Sequence, residues 1–170
     1  MALFFPSYYY KSAYDIPYGK LYEKGMRGVI FDIDNTLVCH GAPADERALK
    51  LMEELKKIGL SICFLSNNKE PRVKSFNEPI GASYIYKGGK PKKAGYLKAC
   101  EKMGLEKSQV FFVGDQIFTD ICGANAAGLE NYLVRKIGPK EEIQIVLKRI
   151  PEKPILFFYR IFCRKRCFLR

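Results

Sequence analysis

The stretch that decides the fold of this 170-residue chain is VIFDIDNT, residues 29–36. Its first three residues are β-branched or aromatic and apolar, which predicts a buried β-strand. Asp32 and Asp34 follow at once, two residues apart. Two acids after a buried strand are either solvated turn residues or members of a site, and the rest of the chain distinguishes these interpretations.

On both sides of this stretch, predicted strands alternate with predicted helices. Further strands are expected over residues 61–65, 82–86, 110–113 and 131–134, and helices over 44–58, 91–103 and 118–127, with a short helix from about residue 71. Gly59, Gly104 and Gly128 are helix stop signals. This alternation predicts an α/β fold with three layers, in which a mainly parallel five-stranded sheet is covered by helices on both faces.

Polar side chains follow the strand ends, at the edge where such sheets bind ligands. The candidates are Asp32, Asp34 and Thr36 after the first strand, Ser66 and Asn67 after the second, Lys90 before the Pro91 helix, and Asp115 and Asp120 after the fourth. Acids, a hydroxyl and a lysine that converge from distant segments are what metal-assisted phosphoryl transfer requires.

Electrostatics explains this requirement. A carboxylate that approaches a phosphate dianion is repelled by roughly 8 kcal/mol at contact, twice the ~4 kcal/mol for unit charges at an effective dielectric of 20. Mg²⁺ held by two separated acids, Asp32 and Asp115, would offset this repulsion together with a lysine. Ser66 and backbone amides at helix starts can hold phosphate oxygens. Of Asp32 and Asp34, one can attack and the other handle protons, but their spacing does not say which.

Four motifs resemble those of the haloacid dehalogenase (HAD) superfamily and occur in the same order. They are DIDNTL at residues 32–37, Ser66, Lys90, and Gly114-Asp115 with Asp120. More narrowly, LSNN at 65–68 and GDQIFTDI at 114–121 resemble the YqeG branch of HAD subclass IIIA, which is related to phosphatidylglycerophosphate phosphatases. The resemblance implies an HAD-like Rossmannoid domain over residues 29–138 and a Mg²⁺-dependent phosphomonoester hydrolase that acts through an aspartyl-phosphate.

The resemblance also implies a role for each motif residue. Asp32 would be phosphorylated and would bind Mg²⁺, while Asp34 would be general acid and then base, with its backbone carbonyl on the metal. The remaining roles are phosphate binding for Ser66, Asn67 and Lys90, Mg²⁺ ligation for Asp115, and support for Thr36 and Asp120. Lys90 is preferred to its neighbours Lys87, Lys92 and Lys93 because it directly precedes Pro91, where the family lysine opens a helix.

The spaces between motifs are short. Residues 38–60 have room for one helix and no cap domain, and residues 67–89 have no room for a cap either, so the resemblance implies a capless enzyme with an open site. Open sites suit substrates presented by a macromolecule or a membrane, and the leading expectation is phosphatidylglycerophosphate. The alternatives are a phosphatase for a soluble ester, such as a nucleotide or sugar phosphate, and an HAD-fold binding protein without turnover.

The chain has a net charge of +11, and residues 148–170, with eight basic residues and one acid, hold +7 of it. Aromatic residues mixed with Arg and Lys over 155–170 are typical of a helix in a membrane interface, or of a packed C-terminal helix with a solvated basic side. We therefore predict an aromatic N-terminal extension over residues 1–28 and a basic, aromatic C-terminal helix or tail over 139–170. The tail could bind an anionic membrane surface, and no specific nucleic-acid partner is expected.

The six cysteines show no pairing pattern, and several lie in apolar runs where a thiol behaves as a small hydrophobic group. The first residues are apolar but lack the length and basic start of a signal peptide. No stretch approaches the roughly 20 apolar residues of a membrane-spanning helix. These features predict a cytoplasmic protein, with peripheral attachment to the inner face of the membrane as an option.

Overall fold

Seven strands form one sheet in the computed structural model, which describes residues 3–138, 143–163 and 166–168, except the side chains of 143–150 and 167. The strands are β1 Tyr8–Tyr10, β2 Gly28–Phe31, β3 Ser61–Leu65, β4 Ser83–Ile85, β5 Val110–Gly114, β6 Glu130–Val134 and β7 Cys167–Phe168. Their order is β4-β3-β2-β5-β6-β1-β7, and all these neighbours pair in parallel. The carboxyl ends of the strands therefore meet at one edge.

Helices connect the strands. They are α1 Tyr18–Glu23, α2 Glu46–Ile58, α3 Glu70–Asn77, α4 Lys93–Met103, α5 Cys122–Ala127 and α6 Ile143–Phe162, with 3₁₀ turns at Ala13–Asp15 and Lys107–Gln109 and a π-turn at Ile117–Ile121. The start of α2 is fixed by Asp45, whose side chain accepts a hydrogen bond from the Ala48 amide at 2.7 Å. It ends at Gly59, whose φ of 96° is left-handed and favours glycine.

The predicted α/β fold with a mainly parallel sheet is confirmed, and β2 to β6 are the five expected strands. The sheet differs from the prediction in having two more strands, β1 and β7, beyond β6. Neither gives a sequence signal, because β1 is a run of three tyrosines without alternation and β7 has two residues. The helix predicted over 118–127 is divided between the π-turn and α5.

The core lies on both faces of the sheet, as the nearly continuous apolar strands indicate. Alternate residues of β2 enter opposite faces, since Val29 and Phe31 pack with α2 and α3, whereas Ile30 packs with α4 and α5. A third cluster joins α6 to the sheet, where Tyr159 is fully buried beside Tyr9 of β1. Packing on both faces holds β2, β3 and β5 in register and so fixes the loops after them.

The segments that follow β2 and β3 determine access to the carboxyl edge of the sheet. Residues 38–60 contain one helix, α2, and residues 67–89 contain the helix α3 and the strand β4, so neither segment contains a cap domain, as predicted. No inserted domain therefore covers the sheet edge between these segments.

Among the residues that the structure describes, no helix has both the length and the apolar character that a transmembrane span needs.

Candidate active site

The chain turns sharply where β2 ends. The Asp32 amide still pairs with Val113 of β5 at 2.9 Å, and the amides of Thr36 and Leu37 then return to the carbonyl of Ile33. Asn35 takes a left-handed φ of 64°, which asparagine tolerates better than most residues. This turn separates the directions of Asp32 and Asp34, although both would lie on one face of a regular strand.

A buried ion-pair network surrounds Asp32. The ammonium of Lys90 lies 2.6 Å from Asp32 Oδ1 and 2.7 Å from Asp120 Oδ1, and all three side chains are buried. Burial raises the pKa of Asp32 to about 7, against the attraction of Lys90. Burial alone would lower the pKa of Lys90, but Asp120 and Asp32 raise it, so the ammonium stays charged. Of the neighbouring lysines considered for this position, Lys87, Lys92 and Lys93 are exposed.

Three carboxylates share this part of the site. One oxygen from each of Asp32, Asp115 and Asp120 lies within 4.8 Å of the others. The Thr36 hydroxyl bridges the group, 3.4 Å from Asp32 and 3.3 Å from Asp115. When all three carboxylates are ionised, the one ammonium beside them leaves a formal charge of −2, which a divalent cation with oxygen preference would neutralise. The residues therefore fit Mg²⁺.

Asp34 has different partners. Its Oδ1 accepts hydrogen bonds from the Gly41 amide at 2.7 Å and Arg72 Nη2 at 2.9 Å, and its Oδ2 accepts one from Asn68 Nδ2 at 2.7 Å. Its carboxylate is not a member of the acidic group around Lys90. Sequence reasoning missed Asn68 and Arg72 as partners. Asn68 lies in the LSNN motif, which was a usable signal, whereas nothing in the pattern of α3 distinguishes Arg72.

Comparison with known proteins decides the family. The sequence model of the haloacid dehalogenase-like hydrolase family matches residues 43–128. The probable phosphatase YqeG of Bacillus subtilis is 36% identical over 154 residues, which cover 90% of each chain. This chain belongs to the HAD-like hydrolases. The predicted family and enzyme class, a YqeG-like phosphatase of HAD type, are confirmed by these matches.

Two more distant similarities agree with this assignment. Phosphatidylglycerophosphate phosphatase 1, chloroplastic/mitochondrial, of Arabidopsis thaliana is 32% identical over 137 residues, which are 74% of this chain and 39% of that protein. The crystal structure of 3-deoxy-D-manno-octulosonate 8-phosphate phosphatase from Moraxella catarrhalis superposes with a TM-score of 0.52 at 17% identity, covering 70% of this chain and 75% of the other. At that identity the second similarity indicates the fold alone.

In this HAD-like hydrolase, the Ser66-Asn67-Asn68 segment fixes two site residues at once. The side-chain amide of Asn67 clamps the backbone of Lys90, donating to its carbonyl at 3.1 Å and accepting from its amide at 2.8 Å. Ser66 is buried and its hydroxyl accepts from the Asn68 amide at 3.1 Å. Asn67, predicted to bind phosphate, is thus occupied with positioning Lys90, while Asn68 holds Asp34.

Asp120 also orders the loop after β5. Its Oδ2 accepts hydrogen bonds from the amides of Asp115 at 3.1 Å and Gln116 at 3.0 Å. A Cβ at Gly114 would lie 2.5 Å from the same oxygen, so the motif needs glycine there for space. Asp120 therefore joins the Asp115 backbone to the Lys90 ammonium.

One buried acid reaches this loop from α6. Glu152 is 4% exposed, and its Oε1 accepts a hydrogen bond from the Ile117 amide at 2.7 Å. Ile117 begins the π-turn that contains Asp120. Sequence reasoning missed this residue, although Glu152 is the only acid in the basic segment 148–170, and this was a signal. The C-terminal helix therefore contacts the loop that holds the acidic group.

Proposed function

We propose that this HAD-like hydrolase is a Mg²⁺-dependent phosphomonoesterase with Asp32 as nucleophile. The observation behind the proposal is the buried contact between Asp32 and Lys90, with Asp115 and Asp120 beside it. A fixed positive charge next to a carboxylate offsets the repulsion that a phosphate dianion would otherwise meet. Bound Mg²⁺, held by Asp32, Asp115 and the backbone carbonyl of Asp34, with Asp120 in support, would add positive charge at the phosphoryl oxygens.

The reaction would have two steps. An Asp32 oxygen attacks phosphorus, the ester P–O bond breaks, and the alcohol leaves with a proton from Asp34. Water then attacks the aspartyl-phosphate, Asp34 takes its proton, and phosphate leaves as the Asp32 carboxylate is restored. Three donors hold the Asp34 carboxylate apart from the Lys90 group, so of these two acids only Asp32 faces the Lys90 ammonium. Ser66 and Lys90 would hold phosphoryl oxygens, and the Asn67 clamp would keep Lys90 in place.

Hydrolysis of p-nitrophenyl phosphate with Mg²⁺ tests the nucleophile. The purified wild type should turn over, and Asp32→Asn should lose at least roughly a thousandfold in kcat, since the amide cannot form the intermediate. Glu53→Gln, which removes an exposed charge from α2, is the matched control and should keep normal activity. Full activity in Asp32→Asn would refute the assignment.

The proposed substrate is a lipid-borne phosphomonoester, with phosphatidylglycerophosphate as the leading example. Two observations support it: the absence of an inserted cap in residues 38–60 and 67–89, and the similarity to a protein named phosphatidylglycerophosphate phosphatase. Activity on phosphatidylglycerophosphate in mixed micelles should be compared with activity on nucleotide and sugar phosphates. Turnover of the soluble esters alone would contradict the lipid substrate.

We also propose that the C-terminal segment attaches the protein peripherally to an anionic membrane on its cytoplasmic face. Phe157, Phe158, Ile161 and Phe162 of α6 are 51–74% exposed, while Tyr159 on the other side of the helix is buried. Exposed aromatic and basic side chains on one helix suit a membrane interface. The five cysteines whose side chains the structure describes are all free, in keeping with a reducing compartment.

A binding assay with phosphatidylglycerol-containing vesicles tests this attachment. Deleting residues 154–170 would also remove the buried Tyr159, so the double exchange Phe158→Ser/Phe162→Ser is the cleaner variant. It should release protein from vesicles, because stacked and exposed aromatic rings would no longer be buried in the interface. Unchanged vesicle binding in this variant would contradict attachment through α6.

A further inference from the structure

A concave surface lies at the carboxyl edge of the sheet, away from Asp32. It is a cleft of about 650 Å³ between the ends of β1, β6 and β7 and the start of α2. We call it the basic cleft and define it by Tyr10, Lys11, Arg47, Arg135, Lys136 and Phe168. These residues come from four separate segments of the chain, so the tertiary fold creates the cleft.

The lining of the basic cleft is strongly positive. It contains four cationic side chains and one carboxylate, that of Asp15. Lys11, Arg47 and Arg135 are exposed, and none of them forms a salt bridge with any side chain that the structure describes. A concave surface with one sign of charge concentrates counter-ions of the opposite sign. The cleft is therefore suited to an anion.

Aromatic rings form part of the same surface. Tyr10 and Phe168 stack across the β1–β7 pair with their ring centroids 4.8 Å apart. The guanidinium of Arg47 lies 3.8 Å from the centre of the Tyr14 ring, a cation–π contact that restrains it. One restrained guanidinium and three further cations beside an aromatic ring pair suit a phosphate group attached to a less polar body.

The basic cleft is close to the active site but separate from it. The loop after β6 contacts the turn that follows β2. The amide of Ile137 donates to the backbone oxygen of Asn35 at 3.0 Å, and the amide of Gly138 donates to Asn35 Oδ1 at 3.3 Å. In the sheet, β6 and β1 are two and three strands from β2. At about 4.8 Å per strand, the cleft is roughly 10–14 Å from Asp32. One phosphate cannot occupy both places.

We infer that the basic cleft is a second anion site, which binds a phosphate group of an anionic phospholipid headgroup. Since the cleft and Asp32 share one edge of the sheet, a bilayer engaged there faces the open active site. The claim that the cleft turns the active site towards the bilayer rests on the proposed function, whereas anion binding in the cleft does not. The cleft is also distinct from the exposed face of α6, because none of the residues that define the cleft lies in that helix.

A triple variant tests the inference. Lys11→Gln/Arg135→Gln/Lys136→Gln removes three charges from the basic cleft, and Lys50→Gln/Lys57→Gln/Lys98→Gln removes the same charge from exposed positions on α2 and α4. The affinity for phosphatidylglycerol-containing vesicles, measured by co-sedimentation, should fall about fivefold for each cleft charge removed, or roughly a hundredfold in all. In the control it should fall by less than about threefold. Thermal unfolding checks that both variants are folded.

A second measurement identifies the source of the phosphate. Titration calorimetry with inorganic phosphate compares the cleft variant and the control, which share an intact active site, so their difference reports on the cleft alone. Loss of phosphate affinity with unchanged vesicle binding would mean a free anion and overturn the lipid assignment. Equal behaviour of both variants in both assays would overturn the site itself. Absence of p-nitrophenyl phosphate hydrolysis in the wild type would refute the proposed enzyme and leave the vesicle comparison intact.

Discussion

At the scale of single residues, the site separates two carboxylates that are neighbours in sequence. Asp32 faces the Lys90 ammonium at 2.6 Å, whereas Asp34 faces the Arg72 guanidinium at 2.9 Å. The turn after β2, with Asn35 in a left-handed conformation, makes this possible. Each acid thus has its own cation, and the two proposed roles do not compete for the same charge.

The first prediction concerns Asp34. Asp34→Asn should lower turnover about 10²–10⁴-fold, because the amide cannot deliver or accept the proton, while Asp32 still attacks activated esters. The phosphorylated enzyme should therefore accumulate. Acid quenching followed by mass spectrometry of the peptide that contains Asp32 measures it. Normal turnover, or turnover loss without a phosphorylated peptide from any ester tested, would contradict the assignment of Asp34 to proton transfer.

At the scale of elements, the site depends on close approaches between helices and loops. α4 approaches the loop before Lys90 so closely that a Cβ on Gly95 would lie 2.4 Å from the Gly88 carbonyl oxygen. α6 reaches the π-turn through Glu152, and the π-turn in turn positions Asp120. Each of these contacts links a helix to a site residue, so damage to the contact should appear in both stability and activity.

Gly95→Ala tests the first contact. The added methyl group must displace the loop that leads to Lys90, so we expect a loss of about 1–3 kcal/mol, or roughly 3–10 °C in the unfolding midpoint. Gly19→Ala is the matched control, because nothing lies within 4 Å of its Cβ, and alanine in the short helix α1 should be neutral or stabilising. Equal midpoints for the two variants in thermal unfolding would contradict the close packing.

Glu152 tests the second contact. Glu152→Ala leaves the buried Ile117 amide without this acceptor, which should cost about 1–3 kcal/mol. Glu152→Gln retains an acceptor oxygen and should lose less, and Lys153→Ala, at an exposed neighbour, should be near neutral. Chemical denaturation measures all three. If the alanine and glutamine variants were equally stable, the hydrogen bond would not be what holds α6 to the π-turn.

At the scale of the whole molecule, charge is unevenly distributed. The chain is basic overall at +11, yet its buried site collects three carboxylates around one ammonium. Burial raises the pKa of Asp32 from 3.8 to about 7, so the folded state binds this proton more tightly than the unfolded chain does. Without metal, stability should therefore fall as pH rises from about 4 towards 7.

Mg²⁺ should offset the loss of stability that follows when the buried Asp32 ionises. At a concentration of about 100 Kd it should stabilise the protein by about 2.7 kcal/mol, a rise of roughly 5–10 °C in the unfolding midpoint. Below about pH 7 protons compete for Asp32, so the rise should be larger near pH 8 than near pH 6. EDTA should remove it, and Asp115→Asn should greatly reduce it. A Mg²⁺ effect that is the same at both pH values would contradict binding at Asp32.

The sequence by itself determined the class of fold and the residues at the strand ends. Buried apolar runs and helix stop signals are local, because they encode backbone conformation and burial within a few residues. The parallel α/β arrangement then places Asp32, Ser66, Lys90 and Asp115 at one edge without further information. The four motifs added the family, which the similarity to YqeG confirmed.

Only the tertiary structure decided which distant residues become neighbours. Tyr8 of β1 pairs with Tyr132 of β6, and Glu152 accepts a hydrogen bond from the amide of Ile117, which is 35 positions away. Such contacts depend on how helices and strand ends pack, which no local periodicity encodes. For the same reason the partners of Asp34 and the basic cleft could not be predicted: each joins segments that become neighbours only after the sheet has formed.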